Sequence, residues 1–140
     1  MNDAFVVDAS VAVAWVHPAQ ATSVTNRCLD SMVDGARLVV PALWPLEVAN
    51  ALTVLVRRGR LTDGDRVAAL RWLPALRVQV DDVSPAVAFS ELARLASDYG
   101  ISVYDAAYLE LAARRRLPLA CGDGPLRAAA RRHRVDLLAV

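Results

Sequence analysis

The sequence predicts a single α/β domain built on a mostly parallel sheet. Short apolar strand candidates alternate with helical segments of roughly ten to fifteen residues, which is the pattern of βαβ units. The turns between them are short, and no linker, internal repeat or low-complexity stretch interrupts residues 1–140. A chain of 140 residues with 56% hydrophobic residues can also bury one ordinary core. We therefore expect about four to five strands, with helices on both faces of the sheet.

The first half of the chain supplies two strands and four helices. The strands are the apolar segments Phe5–Val7 and Leu38–Val40. Pro45 suits the first residue of a helix, because proline needs no hydrogen-bond partner there. Helical patterns cover Ser10–Val16, about Ala21–Val33, Pro45 to near Gly59, and a segment capped by Thr62 that runs to about Leu73.

The second half continues the alternation with three strands and three helices. Ser102 is expected to cap a helix, and Gly100 to end the one before it. The predicted strands are Arg77–Val80, Leu117–Cys121 and Val135–Val140. The predicted helices run from Ser84-Pro85 to Gly100, over Val103–Arg116, and over Asp123–His133.

The composition excludes several classes of protein. Uninterrupted apolar runs such as Val11–Val16 are far shorter than the roughly 20 residues of a membrane-spanning helix. The N-terminal MNDAFVVD has an acid where a secretory signal has basic residues, so we expect a cytoplasmic protein. The formal net charge is +1, which is not that of a strongly basic nucleic-acid binder. All sixteen Lys and Arg positions hold Arg, which excludes any mechanism that requires a lysine.

Four acids are candidates for a functional site, and at least three of them fall where the carboxyl ends of strands are expected. Asp8 directly follows the first strand, and Asp123 follows Leu117–Cys121 after one glycine. Glu47 and Asp105 lie in the first turns of two predicted helices. In open parallel sheets, binding sites lie beyond the carboxyl ends of the strands. Taken singly, each acid also has a simpler explanation as a helix cap or as a favourable charge at a helix N-terminus.

The four acids together favour a divalent cation. Two carboxylates about 4 Å apart repel by on the order of 1–4 kcal/mol, depending on the dielectric. Mg²⁺ and Mn²⁺ prefer oxygen ligands and would remove this repulsion. His17 and His133 do not fit the same group of residues, so a zinc site is not expected.

Four motifs carry a resemblance that covers essentially the whole chain. They are VVDASV, PLEVANAL followed by RRGRL, ISVYDAAYLELAARRRLPLA, and ACGDGPLRAAA. In this order and spacing, the sequence resembles the PIN-domain ribonucleases, and specifically the VapC-type toxins of VapBC toxin–antitoxin systems. The resemblance implies one PIN domain over residues 1–140. It also implies a metal site made of Asp8, Glu47, Asp105 and Asp123.

The resemblance further implies an activity and its supporting residues. The reaction would be endonucleolytic hydrolysis of RNA by a water molecule with Mg²⁺ or Mn²⁺, without a covalent enzyme intermediate. Ser10 matches the family's polar residue two places after the first Asp. Asn50 can share a helix face with Glu47, in a supporting or a purely structural role. Cys121 departs from the Thr or Ser that the family commonly carries there, and a thiol is a weaker hydrogen-bonding group.

The partners follow mainly from the same resemblance. It implies an RNA substrate, a VapB-like antitoxin that blocks the site, and a toxin homodimer or a hetero-oligomer with the antitoxin. Several arginines are candidates for phosphate contacts, although arginines at helix ends are also ordinary solvated residues. These candidates are Arg57, Arg58, Arg114, Arg115 and Arg127.

Two other functions remain as alternatives. The first is a catalytically silent PIN-like module that acts only through protein partners. The second is another Asp-dependent phosphoryl-transfer domain, such as a phosphatase or a receiver. Those families use a distal lysine, and this chain has none. A nucleotide-binding loop is not supported either, because Gly122–Arg127 lacks the third glycine of G-x-G-x-x-G and no G-K-[ST] occurs.

Overall fold

A parallel four-stranded sheet forms the centre of the computed structural model, which describes residues 3–122 and 124–138. Its order is β3-β2-β1-β4, so the first strand lies between the second and the last. Every residue of β1 is buried, which means that both faces of this strand are covered. The strands are β1 (Ala4–Val7), β2 (Arg37–Pro41), β3 (Val78–Asp81) and β4 (Leu119–Ala120).

Helices connect the strands and cover the sheet. The first crossover contains α1 and α2, the second α3 and α4, and the third α5, α6 and α7. The helices are α1 (Ala9–Val16), α2 (Ser23–Val33), α3 (Trp44–Arg57), α4 (Asp63–Trp72), α5 (Pro85–Val87), α6 (Ala93–Tyr99), α7 (Val103–Arg115) and α8 (Pro125–Arg132). Short 3₁₀ turns cover Pro18–Gln20 and Leu73–Ala75, and a π-helical turn, Ala88–Leu92, joins α5 to α6.

The helix boundaries follow from local side-chain chemistry. The hydroxyls of Thr62, Ser84 and Ser102 each accept a backbone N–H from the first turn of the helix that follows. Gly100 ends α6 in the left-handed conformation, at φ 64°, where a glycine carries no steric cost. The capping residues predicted at these positions are therefore confirmed.

Helix α7 contributes the largest helical share of the core. Its buried side chains include Tyr108, Leu109 and Leu111, which are between 0% and 1% exposed. The helix contacts both β1 and β2, so its apolar face lies over the middle of the sheet. This packing fixes α7 as a rigid element, including its N-terminal turn.

The structure corrects several predicted boundaries. Pro45 is the second residue of α3, since the helix begins at Trp44. Helix α8 begins at Pro125 with Gly124 as its N-cap, rather than at Asp123. The segment predicted as a final strand contributes one parallel bridge, Leu137 to Leu119, with residues 139–140 outside the described range.

Other predicted elements differ in extent. The helix expected from Ala21 begins at Ser23, because Thr22 forms a capping box with Thr25. Strand β4 is shorter than the predicted Leu117–Cys121. Among the described residues, no helix is both long enough and apolar enough to cross a membrane.

Candidate active site

Asp8 stands at the carboxyl end of the central strand β1. Its backbone N–H donates to the carbonyl of Ala120 at 2.9 Å, which extends the β1–β4 pairing by one bond. Asp8 occupies the N-cap position of α1, yet its side chain forms no capping hydrogen bond. Its Oδ2 instead accepts the hydroxyl of Ser10 at 2.6 Å. The polar contacts of this carboxylate are thus with the first residues of α1, through the Ser10 hydroxyl and the Ala9 and Ser10 backbone.

Glu47 lies in the first turn of α3 and is tied to helix α7. The hydroxyl of Tyr108 donates to Glu47 Oε1 at 2.5 Å, across 61 positions of sequence. Tyr108 is 0% exposed, whereas Glu47 is half-buried. The N-cap of α3 is Leu43, which offers no side-chain cap, so Glu47 has no capping-box partner. The main polar contact of Glu47 is therefore the buried phenol.

Asp105 lies in the first turn of α7. Its backbone N–H donates to the hydroxyl of Ser102 at 3.0 Å, so the helix is capped by Ser102. Among the described residues, the carboxylate of Asp105 has no hydrogen-bond partner. Asp105 and Tyr108 are three positions apart on one helix and therefore share a face. The same turn of α7 thus presents a carboxylate and holds the phenol that contacts Glu47.

The three described carboxylates influence one another electrostatically. Burial raises the pKa of Asp8, against the lowering effect of the Ser10 hydroxyl and the Ala9 and Ser10 backbone. Burial raises the pKa of Glu47, and the charges of Asp8 and Asp105 raise it further. The hydrogen bond from Tyr108 lowers it. Burial and the charge of Asp8 also raise the pKa of Asp105. No arginine forms an ion pair with any of the three within the described part of the chain.

An open cleft of about 490 Å³ lies against two of these carboxylates. Asp8 and Glu47 line it together with Ser10 and Asn50, so Asn50 does share a face with Glu47 as predicted. Gln20, from the 3₁₀ turn after α1, also lines the cleft. The remaining lining residues are apolar or small: Ala9, Val13, Ala51, Val54 and Leu55.

The chain after β4 approaches the same place. A Cβ built on Gly122 would lie 3.7 Å from Ser10 Oγ, an ordinary contact distance. Cys121 is buried, and its carbonyl accepts a guanidinium N–H of Arg127 at 3.4 Å. Asp123, the fourth predicted acid, lies outside the described residues. Its immediate neighbour in sequence is nevertheless beside Ser10, the residue that contacts Asp8.

No three His, Cys, Asp or Glu side chains within residues 3–122 and 124–138 are grouped closely enough to hold one metal ion. The ligand set that the sequence predicts also includes Asp123, which lies outside the described residues. Asp8, Glu47 and Asp105 supply oxygen ligands only, and among the described residues no arginine pairs with them. Such a set fits a hard divalent ion rather than zinc or copper.

The predicted RNA-contacting arginines occupy different surroundings. Arg114 donates to Asp81 at 2.6 Å and to Glu110 at 2.7 Å, and Arg115 lies 3.6 Å from Asp81. Their charges are therefore largely neutralised within the fold. Arg57 and Arg58 stand at the C-terminal end of α3, whose first turn carries Glu47.

Sequence reasoning missed two residues of this region. Tyr108 belongs to the quoted motif ISVYDAAYLELAARRRLPLA, but nothing in one sequence pairs it with Glu47. Its spacing of three from Asp105 was the available signal, because residues three apart on a helix point the same way. Gln20 follows a proline in an irregular turn, and no pattern indicates its position.

A family model of the PIN domain matches residues 5–132 of the chain. A solved structure of the protein PAE2754 from Pyrobaculum aerophilum is similar at 25% identity and a TM-score of 0.68, covering 89% of this chain and 78% of that one. The structure of VapC20 from Mycobacterium tuberculosis, described as a toxin that cleaves the sarcin–ricin loop, is similar at 20% identity. Its TM-score is 0.63, with coverage of 89% of this chain and 94% of that one. No curated protein matches the chain significantly.

Proposed function

The chain belongs to the PIN-domain family, and from this premise we propose that it is a metal-dependent endoribonuclease. One observation carries the proposal: Asp8 and Glu47 line one cleft, the charges of Asp8 and Asp105 act on Glu47, and no arginine within the described residues pairs with any of the three. Buried charge of one sign is costly unless something compensates it. A cation supplied from solution would compensate it here.

The proposed ligands are Asp8, Asp105 and Asp123, with Glu47 as a further ligand or as an acceptor for a bound water. Carboxylate oxygens suit Mg²⁺ or Mn²⁺, and these ions commonly retain several waters. When bound, such an ion supplies a Lewis acid that activates a water and stabilises the leaving oxygen of a phosphodiester.

The remaining residues have supporting roles in this proposal. Ser10 donates to Oδ2 of Asp8 at 2.6 Å and so restricts the rotation of that carboxylate. Asn50 and Gln20 supply amide groups at the cleft, where they can hydrogen-bond an RNA backbone. Cys121 supports the chain near Asp123 by packing, because its side chain is buried. Arg57, Arg58 and Arg127 are the arginines we propose for phosphate contacts, although Arg127 also donates to the Cys121 carbonyl. Arg114 and Arg115 pair with acids.

We further propose that the protein is the toxin of a type II toxin–antitoxin pair. The VapC-type motifs support this role, as does the fold likeness to the VapC20 toxin over most of both chains. The partners would be an RNA, a VapB-like antitoxin and a second copy of the chain. Exposed apolar side chains on α3 and α4, among them Leu46 and Leu70, offer surface for a protein partner.

The test is an RNA cleavage assay with the purified chain after removal of metal by EDTA. We expect cleavage to return with Mg²⁺ or Mn²⁺. Asp8→Asn should reduce the rate roughly a thousand-fold, since loss of several kcal/mol of transition-state stabilisation corresponds to about that factor. Asp98→Asn is the matched control, because Asp98 is an exposed acid paired with Arg94 at 2.9 Å.

The outcomes separate the enzyme from its alternative. Cleavage that needs added metal and fails only in the Asp8 variant supports the proposal. A wild-type chain that cleaves no RNA with any divalent ion supports a silent interaction module. Cleavage by Asp8→Asn at the rate of the wild type would rule out the proposed role of Asp8.

A further inference from the structure

Tyr108 is a fully buried phenol whose hydroxyl meets a carboxylate of the proposed site. The side chain is 0% exposed, and its hydroxyl donates to Glu47 Oε1 at 2.5 Å. Buried hydroxyl groups nearly always have a hydrogen-bond partner, and here the partner is charged. The bond joins the middle of α7 to the first turn of α3.

The phenol is a permanent proton donor in this position. A tyrosine hydroxyl ordinarily keeps its proton at neutral pH, and a carboxylate can only accept, so the hydroxyl of Tyr108 is the donor in its bond to Glu47. Oε1 is occupied by this bond, whereas Oε2 has no partner among the described residues.

We propose that Tyr108 is a positioning residue, which holds Oε1 of Glu47 so that Oε2 is directed to a divalent ion shared with Asp8 and Asp105. This inference rests on the proposed nuclease function. The helix that carries Tyr108 also carries Asp105, three residues earlier on the same face. One rigid helix therefore supplies one carboxylate directly and fixes the orientation of a second.

Burial of the phenol makes it effective in this role. A glutamate has three rotatable side-chain bonds, and an exposed one loses rotamer freedom when it binds an ion. The packed ring of Tyr108 cannot follow the carboxylate, so the bond restricts Glu47 before any ion arrives. Residues that orient metal ligands in this way typically contribute 10–100-fold in metal affinity or activity.

The test measures Mn²⁺ binding by isothermal titration calorimetry on full-length wild type and Tyr108→Phe. Phenylalanine keeps the ring in the core and deletes only the hydroxyl that donates to Oε1. We expect the Kd for Mn²⁺ to rise about tenfold or more. For RNA cleavage, we expect kcat to fall at saturating Mn²⁺ with little change in KM for the RNA.

Tyr99→Phe is the matched control. The Tyr99 hydroxyl bonds to Nδ1 of His133 at 2.7 Å, so this variant also deletes a phenolic hydrogen bond, but between α6 and the end of α8. A purely structural role predicts that both variants lose thermal stability in EDTA and that neither changes Mn²⁺ binding. Positioning predicts that only Tyr108→Phe weakens binding.

A double-mutant cycle with Glu47→Gln tests whether Tyr108 affects Mn²⁺ binding through Glu47. If Tyr108 acts through Glu47, Tyr108→Phe should cost little further Mn²⁺ affinity once Glu47 is replaced. An equal loss in both backgrounds overturns the proposal, as does a Tyr108→Phe variant that binds Mn²⁺ like the wild type. If the wild type neither binds Mn²⁺ nor cleaves RNA, both the nuclease function and this inference are wrong. If the wild type is active and Tyr108→Phe binds Mn²⁺ and cleaves RNA equally well, only this inference is wrong.

Discussion

Two groups of half-buried acids in this molecule have opposite surroundings. In the first, burial raises the pKa values of Asp8, Glu47 and Asp105, neighbouring acid charges add to this at Glu47 and Asp105, and none of the three has an arginine partner among the described residues. In the second, Asp81 and Glu110, with side chains 15% and 11% exposed, are bridged by Arg114 at 2.6 and 2.7 Å. Both groups of acids are partly buried, so burial does not distinguish them. The difference is that an arginine pairs with the second group.

This difference in cation partners distinguishes acids that stabilise the fold from acids that we propose bind a ligand. The Asp81–Glu110 group is neutralised by the chain itself, and its acids raise the pKa of Arg114 by hydrogen bonding. The group around Asp8 keeps its mutual repulsion in the folded state. Such uncompensated charge is retained at functional sites at a cost in stability. The predictions below test whether the two groups behave as oppositely as their surroundings imply.

The largest expected difference is in catalysis. Asp105→Asn should lower the rate of RNA cleavage by roughly a thousand-fold, because it removes one proposed metal ligand. Asp81→Asn removes a carboxylate of similar burial and should leave kcat unchanged. Single-turnover cleavage at saturating Mg²⁺ measures both. Equal losses in the two variants would contradict the separation of the two groups.

The next difference is the sign of the effect on stability without metal. Asp8→Asn removes a repelling charge but keeps an oxygen that can accept the Ser10 hydroxyl, so the Tm in EDTA should rise by about 2–5 °C, as expected for a gain of roughly 1 kcal/mol. Asp81→Asn breaks ion pairs to Arg114 and Arg115 and should lower the Tm by a similar amount. Thermal unfolding followed by circular dichroism gives both values. A lower Tm in Asp8→Asn would mean that the carboxylate stabilises the fold.

The pH dependence of this stability has a definite sign. Folding raises the pKa values of Asp8, Glu47 and Asp105, so these groups bind protons more tightly in the folded chain. Their favourable contribution to the free energy of unfolding is fully present below the carboxyl pKa of the unfolded chain, about 4. It is lost as the pH rises through their pKa values in the folded chain. In EDTA, the stability advantage of Asp8→Asn over wild type should therefore grow from pH 4 toward neutrality. Urea unfolding at several pH values measures it, and a constant difference would show that Asp8 has an ordinary pKa.

The smallest effect is expected at Ser10. Ser10→Ala removes the hydroxyl that donates to Asp8 at 2.6 Å while leaving the carboxylate in place. We expect a loss of roughly tenfold in cleavage, at the lower end of the range for residues that orient metal ligands. Ser31→Ala is a suitable control, since the Ser31 hydroxyl contacts only its own helix at 2.9 Å. A Ser10 variant as active as the control would show that Asp8 needs no such restraint.

Local chemistry made much of the fold predictable from the sequence. Capping hydroxyls such as Thr62 and Ser102 act through residues three positions away, so one sequence is enough to identify them. The placement of Asp8 at a strand end followed from the apolar run before it. The π-helical turn Ala88–Leu92 was not predicted, because its residues fit an ordinary helix equally well.

Contacts between distant parts of the chain were the main omission. Tyr108 and Glu47 are 61 positions apart, and Arg114 and Asp81 are 33 apart. In the sequence, Arg114 was a candidate for phosphate binding, and nothing indicated its pairing with Asp81. Only the folded arrangement distinguishes an acid with a cation beside it from an acid without one, because each pairing depends on how separate helices pack.

The hydrogen bond from Asp8 to Ala120 also has a consequence for the order of synthesis. Strand β1 is synthesised well before β4, its neighbour in the sheet. Until β4 has been made, the central strand lacks one of its two partners and Asp8 lacks its hydrogen bond to Ala120. A nascent chain cannot assemble the site until more than a hundred further residues have been added after Asp8. The topology thus delays assembly of the proposed site until β4 has been made.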